Sequence, residues 1–174
     1  MSLRHAALGL LSRRPASGYD LLKVFEASMA NVWPATQSQL YGELNKLADA
    51  GLIEVAELGP RGRKEYAITE AGRAELQRWM ASPQEDPAFR SVALLRVFLL
   101  DQLPTEAARR YLTALRGSAD SEHQRYIQIR DSHDWPDDDE AFFARAALEN
   151  GLRFTQMEAD WAGWVLDELD KRGD

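Results

Sequence analysis

The fold is decided by residues 36–72, which read TQSQLYGELNKLADAGLIEVAELGPRGRKEYAITEAG. Leu40, Leu44 and Leu47 recur at steps of four and three residues, the spacing that places side chains on one face of an α-helix. Thr36 is suited to cap this helix, and Gly51 to end it in a left-handed conformation. We therefore predict a helix from about residue 37 to about residue 50.

The opposite face of this helix is polar. Its side chains can donate or accept hydrogen bonds from base edges and phosphate oxygens, and they include Ser38, Gln39, Tyr41, Asn45 and Lys46. Because the leucine face packs inward, the polar face is free to meet a partner.

The apolar period changes to two after Gly51, which predicts a β-hairpin. Ile53 and Val55 fall on one side of the first strand, and Tyr66 and Ile68 do the same beyond the turn. The turn contains Gly59, Pro60 and Gly62 and is crowded with the basic residues Arg61, Arg63 and Lys64. A basic tip alone is typical of a solvated loop, but a basic tip beside a polar helix favours DNA binding.

Helices are predicted on both sides of this segment. Ser2 can cap a first helix that ends at Pro15, and Ser17 opens a second one. Thr69 can cap a further helix that carries Leu76 and Trp79 on its inner side. Three helices followed by a hairpin are the arrangement of a winged helix-turn-helix domain.

Several motifs in this order resemble the PadR family of bacterial transcriptional regulators. The resemblance covers roughly residues 1–80. The motifs are Gly18-Tyr19-Asp20-Leu21, Trp33-Pro34, Leu40-Tyr41 with Leu44 and Leu47, Ala50-Gly51-Leu52, Gly62-Arg63-Lys64-Glu65-Tyr66 and Thr69-Glu70-Ala71-Gly72. Ser38-Gln39 departs from the family, which usually has Pro-Gly or Ser-Gly before its Leu-Tyr pair.

The resemblance implies a dimeric repressor whose third helix enters the major groove of operator DNA. It implies that Gln37, Ser38, Gln39 and Tyr41 lie at the groove, that Tyr19 approaches a phosphate, and that Arg61, Arg63 and Lys64 form the wing contact. The competing interpretation of the two tyrosines is that each fills the core while its hydroxyl reaches solvent.

The net charge of −7 is unevenly distributed. Residues 1–82 hold ten Lys and Arg against nine Asp and Glu, whereas residues 83–174 hold eleven against nineteen. An acidic second half would stay off the phosphate backbone and leave the first half to face DNA. The absence of cysteine excludes thiolate metal sites and, with no signal pattern or membrane-spanning run, favours a cytoplasmic protein.

The chain is predicted to contain two domains, a winged helix-turn-helix at 1–82 and a helical dimerisation domain at 83–174, so the fold class is mainly α with a small β-hairpin. The boundary is marked by Ser82-Pro83-Gln84-Glu85-Asp86-Pro87. Residues 92–100 are strongly apolar and are expected to form a helix buried on most sides. A longer helix follows Pro104 and ends near residues 132–135.

Catalytic and metal-binding patterns are absent from the sequence. Asp137-Asp138-Asp139-Glu140 could suggest a metal or acid–base site, but four carboxylates are better explained as the start of a helix. The histidines show no ligand spacing, and no nucleophile elbow, P-loop or dinucleotide motif occurs. We therefore predict a protein that is not an enzyme and that needs no metal or cofactor.

The last helix, predicted from about residue 139 to about residue 170, carries a heptad seam. The seam consists of Phe143, Ala147, Asn150, Phe154, Met157, Trp161 and Trp164. It suits pairing with the same helix of a second copy, as the family resemblance also implies; packing on its own domain is the less favoured alternative, because a heptad alone does not name the partner helix. Trp161 and Trp164 could in addition stack on a planar aromatic effector, but Trp in a seam is more often core.

Two classes of function remain. The favoured one is a homodimeric DNA-binding repressor released by a small-molecule effector, and the alternative is a winged-helix module that binds only proteins. Among winged-helix families a MarR-like protein is the second structural candidate, but the short wing and the separate helical half suit PadR better.

Overall fold

The computed structural model describes residues 2–25, 35–58, 64–82 and 90–172. The chain divides into two compact units, Met1–Asp86 and Pro87–Asp174. The first contains the helices α1 (Ser2–Arg13), α2 (Gly18–Val24), α3 (Gln37–Asp49) and α4 (Glu70–Ala81) and the strands β1 (Ala16–Ser17), β2 (Ile53–Leu58) and β3 (Lys64–Ile68). The second contains α5 (Val92–Phe98), a 3-10 turn (Leu100–Gln102), α6 (Thr105–Ser132) and α7 (Asp139–Arg172). The predicted fold class, mainly helical with a small antiparallel sheet, is confirmed.

The ends of α3 are fixed by the residues that its sequence suggested. Thr36 Oγ1 accepts a hydrogen bond from the amide of Gln39 at 3.3 Å, and Gln39 Oε1 accepts one from the amide of Thr36 at 2.9 Å. This reciprocal capping box satisfies two amides that helix geometry leaves without partners. Beyond the other end, Gly51 has a φ of +68°, which a side chain would disfavour.

The sheet has three antiparallel strands in the order β1-β3-β2. Ile53 is paired with Ile68, and Val55 with Tyr66, as the hairpin prediction required. Two features differ from the prediction. The strand β1 pairs Ala16 with Tyr66, and a strand of two residues is too short to leave an alternating pattern. Val55 is 44% exposed although Ile53, two residues earlier on β2, is buried; it lies next to an irregularity in the register between Val55 and Glu57.

The core of the first unit is built where α1, α2 and α3 meet the sheet. Its largest fully buried side chains are Leu8, Leu11, Leu21, Phe25, Leu40, Leu44 and Leu47. Full burial stabilises each such side chain by about 1.5–3 kcal/mol. At the contact of α1 with α4, the ring of His5 stacks on Trp79 with centroids 4.3 Å apart and planes 5° from parallel. His5 is 5% exposed and therefore belongs to the core.

The second unit is organised around the pairing of α6 with α7. Arg109, near the start of α6, forms an ion pair with Asp170, near the end of α7, so the two helices are antiparallel. They approach closely where Gly151 of α7 faces the ring of Tyr126, since a Cβ on Gly151 would lie 3.0 Å from Tyr126 Cε2. Burial raises the pKa of the Tyr126 hydroxyl, and hydrogen bonds from Arg125 lower the pKa of Glu122.

The prediction that the helix at 92–100 is buried on most sides is wrong. None of the residues of α5 is buried, and Phe98 is 80% exposed. Val92, Leu94, Leu95, Leu99 and Leu103 are also exposed. The apolar run at 92–100 indicates that burial of these side chains is favourable, but α6 and α7 do not cover them.

In the described parts of the chain, none of the helices combines the length and the apolar character that crossing a membrane requires.

Candidate DNA-binding surface

The surface is centred on α3, whose two faces are sharply different. Leu40, Leu44 and Leu47 are completely buried in the core of the first unit. The polar residues predicted to read DNA, Gln37, Ser38, Gln39, Tyr41, Asn45 and Lys46, are all exposed. The structure therefore brings the six α3 residues of the prediction together on the open side of one helix.

Gln39 has a second task that the sequence prediction did not assign to it. Its Oε1 accepts hydrogen bonds from the amide of Thr36 at 2.9 Å and from Thr36 Oγ1 at 3.1 Å. The carboxamide oxygen is thus engaged at the start of α3, and the Nε2 group is the part of Gln39 that remains to donate to a base edge or phosphate. A truncation of Gln39 would consequently weaken both the helix cap and the surface.

The outward face of α3 carries one basic side chain, Lys46, which is paired with Glu43. The Nζ of Lys46 lies 3.4 Å from Glu43 Oε2, one turn back along α3. The lysine side chain is 73% exposed and Glu43 only 17%. Because exposed ion pairs of this kind are worth little, Lys46 can exchange Glu43 for a phosphate at small cost.

Tyr19, predicted to approach a phosphate, lies on α2 and is 51% exposed. Lys23 Nζ stands 4.6 Å above its ring, so a positive charge accompanies the hydroxyl. The local backbone is fixed by Ser17, which is 1% exposed and accepts a hydrogen bond from the amide of Asp20 at 3.2 Å. The alternative, that Tyr19 fills the core, is not what the structure has.

Tyr41 combines both of the interpretations that its position allowed. It is 38% exposed, on the outward side of α3, while one edge of its ring lies against Gly18. The side chain is therefore partly exposed, and the end of its ring is held in place by packing on α2.

The wing is the hairpin of β2 and β3, and the structure describes its two strands but not residues 59–63 between them. β2 and β3 form the antiparallel pair, and Lys64, the first residue of β3, is exposed. Arg61 and Arg63 lie outside the described residues. Lys64 is thus the only predicted wing contact that the structure locates.

Four residues of the predicted seam of α7 are exposed. Phe143 is 67% exposed, Phe154 45%, Met157 52% and Trp164 61%. The residues of α7 that pack on α6 are a different set, Ala141, Leu152, Thr155, Ala159, Ala162 and Gly163. These four side chains are therefore open to solvent within their own unit, and their pairing with a second copy stays a prediction.

Trp161, the remaining aromatic of the seam, is partly buried and lines a groove of about 790 Å³ between α6 and α7. Met157, Leu152 and His123 also line the groove. His123 Nδ1 lies 3.0 Å from Thr155 Oγ1, which itself donates to the helix carbonyls of Gly151 and Leu152. Nδ1 also lies 3.1 Å from the carbonyl oxygen of Leu152, which can only accept, so Nδ1 carries the proton and the ring orientation is fixed.

The run Asp137-Asp138-Asp139-Glu140 stands at the start of α7, as predicted. Asp138 Oδ1 accepts a hydrogen bond from the amide of Ala141 at 2.8 Å, so this carboxylate caps the helix. Among the residues that the structure describes, no group of three or more His, Asp or Glu side chains could hold a metal ion.

Sequence profiles of two families match the chain. Residues 7–78 match the Transcriptional regulator PadR-like family, and residues 89–170 match the Virulence activator alpha C-term family. A probable transcriptional regulator of Mycobacterium tuberculosis is 29% identical over 192 residues, which cover 99% of this chain and 100% of that protein. The negative transcriptional regulator PadR of Bacillus subtilis is 33% identical over 110 residues, 61% of this chain and 60% of that protein.

Solved structures share the fold over nearly the whole length. Bacillus subtilis PadR in complex with operator DNA has a TM-score of 0.86 at 24% identity and covers 97% of this chain and 99% of its own. The same protein in complex with p-coumaric acid has a TM-score of 0.87 at 25% identity, with 98% and 99% covered. The Vibrio cholerae virulence activator AphA has a TM-score of 0.83 at 30% identity, again with 98% and 99% covered.

Proposed function

We propose that the chain, which belongs to the PadR-like family of transcriptional regulators, is a cytoplasmic homodimer that represses transcription by binding operator DNA. The proteins of this family are not enzymes. The observation that carries the proposal is α3, a helix with one fully buried leucine face and six exposed polar side chains on the other. A helix of this kind at the surface of a winged helix-turn-helix is the element that enters a major groove.

Each contact has a chemical role in this proposal. Gln37, Ser38, the Nε2 group of Gln39 and Asn45 read base edges, because amides and hydroxyls match the donors and acceptors of the major groove. Tyr19, Tyr41 and Lys46 contact phosphates on either side, and Arg61, Arg63 and Lys64 of the wing contact the flanking backbone. The Bacillus subtilis PadR, whose structure in complex with operator DNA shares this fold, supports the arrangement.

The DNA proposal is tested with a labelled fragment from upstream of the protein's own gene, followed by fluorescence anisotropy at several salt concentrations. Replacing Arg61 and Arg63 with Ala should weaken binding on all sequences and reduce the salt slope by about one to two units. The control, Lys171→Ala with Arg172→Ala, removes two positive charges from the end of α7 and should leave the slope unchanged. If the wild-type protein binds no fragment, the alternative of a protein-binding module is favoured.

Repression is the finer part of the proposal. The relative from Bacillus subtilis is a negative regulator, whereas AphA, similar over the whole chain, is a virulence activator. A promoter–reporter strain distinguishes repression from activation. Deletion of this gene should raise reporter output, and a fall in output would show an activator.

The exposed seam of α7 supports the homodimer. Phe154, Met157 and Trp164 present large apolar surfaces that water disfavours, and a second copy is a partner with a matching seam. Two-fold pairing would also allow the two α3 helices to read half-sites about one helical turn apart.

Met157→Asp tests the seam, because pairing would then bring two carboxylates into an apolar contact. The variant should sediment as a monomer or a weakened dimer at micromolar concentration and should lose DNA affinity by far more than a factor of two. The control is Gln156→Asp, which adds the same charge on the polar flank of α7 and should remain dimeric. A folded Met157→Asp protein that stays fully dimeric would place the dimer contact elsewhere.

An aromatic effector is the last part of the proposal. Trp164 is exposed on the seam, and Trp161 lines the groove beside His123, so a planar ligand could stack there and alter the pairing of two copies. The complex of Bacillus subtilis PadR with p-coumaric acid supports a ligand of this class. p-Coumaric acid should quench tryptophan fluorescence and release DNA, and Trp161→Leu should abolish both effects. Trp135→Phe, outside the seam, is the control.

A further inference from the structure

Gly18, the first residue of α2, has no space for a side chain because the ring of Tyr41 occupies it. A Cβ on Gly18 would lie 2.7 Å from Cε1 of Tyr41, 2.9 Å from Cζ and 3.1 Å from the hydroxyl oxygen. These atoms form the outer end of the ring, so the part of Tyr41 next to its hydroxyl rests on the backbone of α2. The contact joins α2 to the outward face of α3.

The backbone on the Gly18 side of this contact is held from other directions. Ser17 is paired with Glu65 of β3 in the sheet. Its hydroxyl donates to Asp20 Oδ2 at 2.8 Å and accepts from the amide of Asp20 at 3.2 Å, which fixes the start of α2. By contrast, Tyr41 is 38% exposed and its ring can turn towards solvent. A methyl group on Gly18 would therefore displace the Tyr41 ring rather than the backbone.

We infer that Gly18 is a positioning residue for DNA recognition and that it acts through Tyr41. By leaving its side-chain space to the ring, Gly18 holds the Tyr41 hydroxyl at one place on the surface of α3. Hydrogen bonds weaken steeply with distance and angle, so displacement of the ring end costs the contact that the hydroxyl makes. The inference rests on the proposed DNA binding, and it adds a residue that does not itself touch DNA.

The test is a double-mutant cycle on Gly18 and Tyr41, measured with the labelled upstream fragment. Gly18→Ala should weaken binding about tenfold, the effect of losing one hydrogen bond to a charged group. Tyr41→Ala should weaken it by at least as much, and the double variant should be no worse than Tyr41→Ala alone, because the displaced group is then already absent. Gly9→Ala is the control, since a Cβ there meets no atom within 4 Å.

Two further readouts separate positioning from a merely structural role. The urea midpoint of Gly18→Ala should match that of Gly9→Ala, because Ala is a better helix former than Gly and the ring can move away. In the protein without DNA, the ring current of Tyr41 should displace the α-proton NMR signals of Gly18, and Tyr41→Ala should remove that displacement.

The outcomes are distinguishable. Wild-type protein that binds no DNA overturns the proposed function, and the recognition role of Gly18 with it. Wild-type binding together with unchanged binding by Gly18→Ala overturns only the positioning role, as do losses that multiply in the double variant. A large fall in the urea midpoint of Gly18→Ala would assign the residue to folding instead.

Discussion

Replacing Gly72 with Ala should destabilise the N-terminal unit strongly, although Ala is the better helix former. Gly72 lies in the first turn of α4, where a Cβ would overlap the carbonyl oxygen of Leu52 and lie 2.8 Å from Ile68 Cγ1. The oxygen cannot rotate away because it belongs to the backbone and accepts a hydrogen bond from the amide of Thr69 at 3.1 Å. Thr69 Oγ1 also donates to the carbonyl oxygen of Gly51 at 2.8 Å, which holds the same corner.

The magnitude follows from two opposing effects. Overpacking lowers the free energy of unfolding by about 1–3 kcal/mol. Because the obstacle at Gly72 is fixed backbone, we expect the loss for Gly72→Ala to lie near the upper end, about 3 kcal/mol. The higher helix propensity of Ala than of Gly offsets up to about 1 kcal/mol of this loss. The net loss of about 2 kcal/mol corresponds to a fall of about 10 °C in the melting temperature of a domain of this size.

Circular dichroism of the full chain during urea and thermal unfolding measures this effect. Gly42→Ala is the matched control, because Gly42 is exposed on α3 and a Cβ there meets no atom within 4 Å. The control should be as stable as the wild type or up to about 1 kcal/mol more stable. If Gly72→Ala unfolds within about 0.5 kcal/mol of the control, the close approach of α4 to Leu52 is not a constraint on this fold.

Three further perturbations have definite signs. Thr36→Val removes the capping hydroxyl of α3 and should cost about 1 kcal/mol in urea unfolding. Gly151→Ala should lower the melting temperature relative to Gly117→Ala, because its methyl would press on the Tyr126 ring, which is only 9% exposed and has little room to yield, whereas Gly117 lies in open space on α6. Hydrogen bonds from Arg125 depress the pKa of Glu122 below its ordinary value of 4.5, so the stability that Glu122 adds is present above that pH and is lost as the pH falls through the depressed pKa. Glu122→Gln should therefore flatten the acid limb of a plot of urea midpoint against pH.

Much of the N-terminal unit could be predicted because its signals are local. The step of Leu40, Leu44 and Leu47 and the cap at Thr36 determine both ends and the inner face of α3 within a few residues of sequence. The polar side of α3 then follows by elimination, which is why all its predicted contact residues are exposed.

The contacts that sequence did not predict are those that join distant parts of the chain. Gly18 is not part of a periodic pattern. The need for glycine at this position is visible only in the folded structure, where Tyr41 of another helix lies against it. The capping role of Gln39 could have been found, because a Thr followed three residues later by Gln is a capping signature. The exposure of α5 could not, since an apolar run shows that burial is favourable without naming the surface that provides it.

The two units differ in how completely each buries its own apolar side chains. This difference connects the exposed seam of α7 with the proposed dependence of DNA binding on pairing. Of the fifteen large hydrophobic residues exposed in the described parts of the chain, eleven lie in the C-terminal unit. The buried residues of α7 are mainly small, whereas Phe143, Phe154 and Trp164 are left exposed. The N-terminal unit, by contrast, encloses the three leucines of α3 completely and exposes polar groups on the other face of that helix. The N-terminal unit therefore encloses its own core, while the C-terminal unit leaves large apolar side chains exposed, as the proposed pairing of two copies requires. A regulator built in this way would bind DNA with an affinity that depends on the pairing of its C-terminal units, so a ligand at the seam could act on DNA binding without touching α3.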